Sequence, residues 1–336
     1  MKTHSQSENY SSEVDLNDIY VESESTVSRV HHIHLVNKPL SFISHVTKYN
    51  VKSKSCKTFA TLFQTAYVKK ISDNKRPILF LFNGGPGSSS SLLHFKGIGP
   101  YQLKNPHYSL ENEMILNENC PLSHYDLVFI DPIDTGFSRL QNPLAAEPLL
   151  SVSGDAKVTA MTINLWLIEH NRVSSAKFII GESYGTVRAV KIVTAYSEQL
   201  QLNGIILIGM ISDLEPNVMS SVGYLPTMAF GSCYHGLTLI DQSTPEQFYQ
   251  QMKAFSLGKY HYLLSQWNNL GETERWEGVE HLSKMIGLNK DYLYSQCGRV
   301  NRHDYMLLLL NGYRIGSLDV RVKTKKIAYF DEKNPN

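Results

Sequence analysis

Cysteine is scarce in this sequence. Only 4 occur in 336 residues, Cys56, Cys120, Cys233 and Cys297, and no two form a Cys-x-x-Cys pair. That spacing argues against a cysteine metal site and gives no disulfide framework. Scattered, reduced thiols make a cytoplasmic protein the default expectation. Charge of one sign is lacking too: 32 Lys and Arg face 31 Asp and Glu, a net +1. So small an imbalance gives no electrostatic footprint for nucleic acid or an anionic membrane surface. No apolar run reaches the ~18 residues that a membrane-spanning helix needs. Residues 1–29 are polar and acidic and lack the apolar segment of a secretory leader, so no signal peptide is expected. His32 and His34 could share one strand face, but no third ligand is near, and metal sites need three or four. No metal and no cofactor is implied.

What the sequence does contain is a series of short apolar runs, each followed by a turn signal or a helical period. The central one is Ala176-Lys177-Phe178-Ile179-Ile180, followed by Gly181-Glu182-Ser183-Tyr184-Gly185 and a helical stretch from Thr186 to Leu200. Strand, tight turn and helix around Gly-x-Ser-x-Gly is the context of a nucleophile elbow. The glycines let strand and helix pack closely, the serine hydroxyl is lifted above the sheet, and the helix N-terminus favours negative charge there. An ordinary strand-to-helix turn is the competing reading.

Pro77 to Phe82 reads as a buried parallel strand running into Asn83-Gly84-Gly85-Pro86-Gly87-Ser88-Ser89-Ser90. This loop lacks the Gly-Lys-Ser/Thr ending of a phosphate loop and the Gly-x-Gly-x-x-Gly spacing of a dinucleotide site. An oxyanion-hole loop fits better. Thr58 to Val68 reads as a strand, Asp126 to Asp131 as a buried strand, Asp155 to His170 as a helix, and Gly204 to Ile211 as another buried strand. Asp134-Thr135-Gly136 is a triplet shared with aspartic proteases, but those need two such carboxylates and an all-β setting. Strand–helix alternation instead indicates an α/β fold with a mostly parallel sheet, whose ligands bind at the carboxyl ends of the strands. The Gly-rich loop, Asp131 and Ser183 all fall at such ends. Expected boundaries are a flexible arm over 1–30, an α/β core over 31–214, a helical insertion or lid over 215–312, and the start of a further core segment with a tail over 313–336.

The Gly-rich loop and the elbow together resemble the serine carboxypeptidase family, α/β-hydrolases of the carboxypeptidase Y type. Asp126 to Pro132, Thr135 to Arg139 and Glu182 to Ala189 fit the same family. The last of these, with Leu225-Pro226-Thr227 and Tyr234-His235-Gly236, looks like its bacterial branch. The likeness runs from about residue 55 to 323. It implies an α/β-hydrolase fold with a mostly parallel central sheet and a helical lid, the final strands being missing. It implies Ser183 as the acylated nucleophile and the backbone N–H groups of Gly85 and Tyr184 as the oxyanion hole. Asn83, Gly84 and Glu182 would hold the free carboxylate of a peptide or protein C-terminus, the expected partner. Glu182 can do so only when protonated, because two ionised carboxylates cannot share a site.

Three positions depart from the family. Gly97 stands where many relatives carry a second carboxylate. Asp134 stands where a small residue is usual. The family's triad Asp and His, in Gly-x-x-Asp and Gly-His contexts, match nothing in this sequence. His235, His261, His281 and His303 follow Ser183, but none sits in such a context. The expectation is therefore a serine-type carboxypeptidase impaired for want of its base. Alternatives are an esterase or acyltransferase on the same fold, or a non-catalytic homologue that holds peptide C-termini.

Overall fold

The computed structural model describes residues 14–70, 75–104, 113–141, 146–211, 217–238, 244–317 and 319–326. The chain divides into two compact units, Met1–Ser212 and Asp213–Asn336. The first is built on one eight-stranded sheet. Its strands are β1 (Ile19–Leu35), β2 (Lys38–Ser53), β3 (Thr58–Lys69), β4 (Ile78–Phe82), β7 (Asp126–Asp131), β8 (Arg139–Leu140), β9 (Lys177–Glu182) and β10 (Gly204–Ile208). A separate small hairpin joins β5 (Tyr101–Leu103) to β6 (Met114–Leu116). The sheet order is β1-β2-β3-β7-β4-β9-β10, with β8 beside β3.

The sheet is mixed. β1, β2, β3 and β7 pair antiparallel in turn, whereas β7, β4, β9 and β10 run parallel. All five residues of β4 are buried because both of its faces are covered. Phe80 and Phe82 pack on one side with Val128, Ile163, Trp166 and Ile192. Leu79 and Leu81 pack on the other with Leu127, Phe129 and Ile180. Two helices close the first of these faces, Val152–Glu169 and Tyr184–Leu200. Ser151 starts the former by accepting from Gly154 N–H at 3.0 Å, which satisfies one of the free donors of its first turn.

Two sequence expectations need correction here. The arm expected over 1–30 lies partly outside the described residues, but Ile19 to Val30 belong to β1, the first strand of the sheet. Its backbone pairs with β2 along the whole strand, which polar side chains on an exposed edge do not prevent. Charge pairs from β1 to β2 (Glu24 with Lys48 at 2.9 Å, Glu22 with Lys52) and a bulge between Ser23 and Ser25 suit an edge strand. The strand expected as buried over 204–211 is the opposite edge among the described residues and ends at Ile208. Ile206, Ile208 and Met210 are 48%, 39% and 63% exposed, so its apolar run covers only one face. His31 and His32 on β1 bond to Ser44 and Ser41 of β2 at 2.9 and 2.8 Å.

His94 sets a pH dependence of this unit. Its ring is stacked on Phe129, 4.3 Å between centroids, and its Nε2 meets the Tyr67 hydroxyl at 2.6 Å. Burial lowers its pKa to about 4. A histidine buried neutral contributes stability above its ordinary value of ~6.5 that is lost as pH falls through the folded value. His94 should therefore withdraw about 3 kcal/mol between roughly pH 6.5 and 4. Burial raises the Asp131 and Asp155 carboxyls, which act in the opposite sense. The readout is accordingly the difference between wild type and His94→Phe in urea unfolding across that range. Parallel pH profiles would refute this role for His94.

The second unit is helical. Val218–Tyr234, Pro245–Phe255, Glu272–Ile286 and shorter helices surround Val222, Leu225, Val279, Leu282, Ile286 and Leu293. Its hairpin joins β11 (Tyr313–Ile315) to β12 (Lys323–Lys325). Tyr260 and Trp267 are buried and Trp276 stacks on Tyr294 at 4.0 Å, whereas Tyr262 is 58% exposed. Among the described residues no helix is long and apolar enough to cross a membrane.

Candidate active site

The elbow begins where β9 ends. Ser183 has φ 55° and ψ −125°, a conformation that costs a non-glycine residue roughly 1–3 kcal/mol. The surroundings hold it there. Ser183 N–H donates to Ile208 O at 2.9 Å, and Thr186 N–H and Oγ1 donate to Ser183 O at 2.9 and 2.7 Å. The turn is tight enough that a Cβ on Gly181 would lie 2.2 Å from Gly185 O. Its serine is half-buried, and no side chain among the described residues of this unit hydrogen-bonds to its Oγ.

The Gly-rich loop lies against this turn. Asn83 is buried and tied three ways. Its Oδ1 accepts from Leu93 N–H at 3.0 Å, its Nδ2 donates to Glu182 Oε2 at 2.9 Å, and its main-chain O accepts from Arg188 Nη1 at 2.8 Å. A Cβ on Gly84 would lie 2.3 Å from Tyr184 N and 2.6 Å from Glu182 O. Gly85 has φ 104° and precedes a cis Pro86. Ser90 closes the loop: its N–H donates to Asp131 Oδ1 at 2.8 Å and its hydroxyl to Ile130 O. Asp131 is thus the loop's anchor, and burial raises its carboxyl above the ordinary value. The backbone N–H groups of Gly84, Gly85 and Tyr184 have no hydrogen-bond acceptor among the described residues.

Beneath the loop lies a buried ion pair. Arg188 Nε contacts both oxygens of Asp155, at 2.9 and 2.8 Å. The guanidinium also faces the rings of Phe82 and Tyr184, 5.1 and 5.4 Å from their centroids. Burial raises the Asp155 carboxyl, and Arg188 opposes the shift. The pair borders a pocket of about 300 Å³ with Gly87, Pro132, Asp134 and Tyr184. Asp134 takes φ 62° in the turn after β7, a conformation that Asp adopts more readily than most residues.

Ser183, Tyr184, Glu182, Asn83, Gly84 and Gly85 are therefore brought together, from two loops about a hundred residues apart. The histidines that follow Ser183 belong to the other unit. There His235 Nε2 meets Val320 O at 2.8 Å and His281 lies against Phe255. Sequence reasoning did not find the Arg188–Asp155 pair. The arginine inside the elbow helix was its one available signal, since an unpaired cation seldom stays buried.

A family model described as serine carboxypeptidase matches residues 37–325. Serine carboxypeptidase-like 16 of Arabidopsis thaliana is 28% identical over 210 residues, 58% of this chain and 44% of that protein. The pheromone-processing carboxypeptidase KEX1 of Podospora anserina is 35% identical over 121 residues, 34% of this chain and 19% of its own length. The crystal structure of a prohormone-processing carboxypeptidase from Saccharomyces cerevisiae aligns with a TM-score of 0.44 and 18% identity. That alignment covers 77% of this chain and 52% of the other. The chain thus spans about half the length, or less, of these relatives.

Proposed function

The chain belongs to the serine carboxypeptidase family, and on that premise we propose that it binds the free C-terminus of a peptide and presents its last peptide bond to Ser183. The Asn83–Glu182 hydrogen bond beside the strained serine carries this reading. A terminal carboxylate needs donors. The second Nδ2 hydrogen of Asn83 and the Gly84 N–H supply them, and Glu182 holds the Asn83 amide in place beside them. Ser183 Oγ then attacks the scissile carbonyl, and the N–H groups of Gly85 and Tyr184 donate to the developing oxyanion. Collapse breaks the peptide bond: the last residue leaves as a free amine with the proton given up by Ser183 Oγ, and water then hydrolyses the acyl ester to a new C-terminal carboxyl and free Ser183.

Serine attack also needs a base, and no described side chain of the first unit hydrogen-bonds to Ser183 Oγ. These residues supply the binding and oxyanion half of the reaction, and alone they should turn over slowly. Without a base, catalysis of roughly 10³–10⁴-fold over water remains.

Two measurements test the reading. A peptide with a free C-terminus should bind at least ~10-fold more tightly than its C-terminal amide, about one charge-assisted contact. Equal affinity for acid and amide would defeat the carboxypeptidase reading and favour an esterase or acyltransferase. A fluorophosphonate should label Ser183 only slowly and Ser183→Ala not at all. Fast, stoichiometric labelling would show that a base is present.

A further inference from the structure

We propose that Arg188, held by Asp155, aims the Gly84 N–H at the substrate carboxylate by gripping the other end of the same peptide group. The inference rests on the reading above only for what the N–H binds. The carbonyl of Asn83 and the N–H of Gly84 belong to one planar unit, and in a trans peptide they point in opposite directions. Arg188 Nη1 takes that carbonyl at 2.8 Å. The Gly84 N–H must then face away from Arg188. Gly84 is buried, yet its N–H has no acceptor among the described residues. Most buried backbone N–H groups are paired, so one left open and fixed in direction points to a ligand acceptor.

Arg188 is fixed more firmly than one hydrogen bond requires. It is 2% exposed and Asp155 8%. Asp155 accepts from Nε with both oxygens, while the rings of Phe82 and Tyr184 flank the guanidinium. Phe82 leads into the Gly-rich loop, and Tyr184 opens the elbow helix. One guanidinium therefore joins the roots of both loops that build the site. Asp155 cancels its charge, so attraction of the substrate carboxylate by net charge is not the role. Orientation is. A bond to the carbonyl also polarises the peptide group and strengthens its N–H as a donor. Buried ion pairs seldom stabilise more than apolar residues of the same volume, so stability alone gives little reason for one here.

The test uses the full chain with Arg188→Lys, Arg188→Met and Asp155→Asn. Arg188→Met should cut the preference for free-acid over amidated peptide by ~10-fold or more, with the amide's affinity unchanged within about twofold. Arg188→Lys keeps the charge and an ammonium donor but not the planar fork, and should fall between Met and wild type. Equal weakening of both peptides, or of neither, would overturn the inference. The Gly84 amide resonance gives a readout that needs no peptide. It should shift in Arg188→Lys and in Asp155→Asn, both of which keep a polar group in the buried site should Arg188→Met fail to fold. An unmoved Gly84 resonance in either folded variant would refute the role of the pair. A wild type that binds acid and amide equally would defeat the carboxypeptidase reading while this resonance still decides on Arg188.

Discussion

Asp126→Ala is expected to destabilise the first unit by about 3–5 kcal/mol, the cost of breaking a buried ion pair from one side. Asp126 is wholly buried at the start of β7. Its Oδ1 accepts from Arg76 Nε at 2.9 Å and from Lys69 N–H at 3.0 Å. Its Oδ2 accepts from Arg172 Nη1 at 2.6 Å. Among the described residues the two guanidiniums are otherwise tied to neutral groups: Arg76 to the carbonyls of Leu122, Ser123 and Tyr125, Arg172 to Ser175 and the carbonyl of Arg76. Alanine would leave one buried cation, Arg172, and one half-buried cation, Arg76, with no anion between them. Asp126→Asn keeps an acceptor and should lose less. Hydrogen exchange of the Val128 and Ile130 amides would measure the change, and a loss below ~1 kcal/mol would mean that water replaces the carboxylate.

Gly84→Ala should cost a comparable amount, about 3 kcal/mol or more, for a purely steric reason. Its Cβ would lie 2.3 Å from Tyr184 N, 2.6 Å from Glu182 O and 2.8 Å from Gly185 N. All three are backbone atoms of the elbow, and no rotamer change can clear them. Either the Gly-rich loop or the elbow must move, and the N–H groups of Gly85 and Tyr184 proposed as oxyanion donors separate. Two readouts should therefore fall together: protection of the β4 and β9 amides, and affinity for a free-acid peptide. A stable variant with unchanged binding would show that the two loops are less tightly engaged than these distances state. Gly97→Ala is the matched control. A Cβ there meets nothing closer than 3.8 Å.

The parallel half of the sheet was legible in the sequence. β4, β7 and β9 are apolar runs covered on both faces and followed at once by turn residues, so composition alone marks them. Ser183 and the Gly-rich loop were legible because their backbone geometry demands particular residues in local order. What failed is what depends on neighbours. The part of β1 from Ile19 to Val30 escaped notice because its exposed, polar side chains carry no alternation, and its pairing is made by backbone. β10 was taken as buried because its residues are apolar, yet it is the last strand of the sheet among the described residues. Arg188 and Asp155 lie 33 residues apart, and nothing local links them.

The sheet's register also imposes an order of assembly. β1, β2 and β3 pair with sequence neighbours across short turns, so their meander can close as soon as residue 69 exists. β4 has no such partner. Its neighbours are β7 and β9, and Ile78 meets Lys177 about a hundred residues later. Contacts of that span close slowly, because the chain entropy of a long loop must be overcome first. During synthesis the Gly-rich loop therefore leaves the ribosome well before the elbow it packs against. Until β7 arrives, β4 is an all-apolar strand without a partner, and until β9 arrives one of its edges stays open; such unpaired apolar strands expose a nascent chain to aggregation.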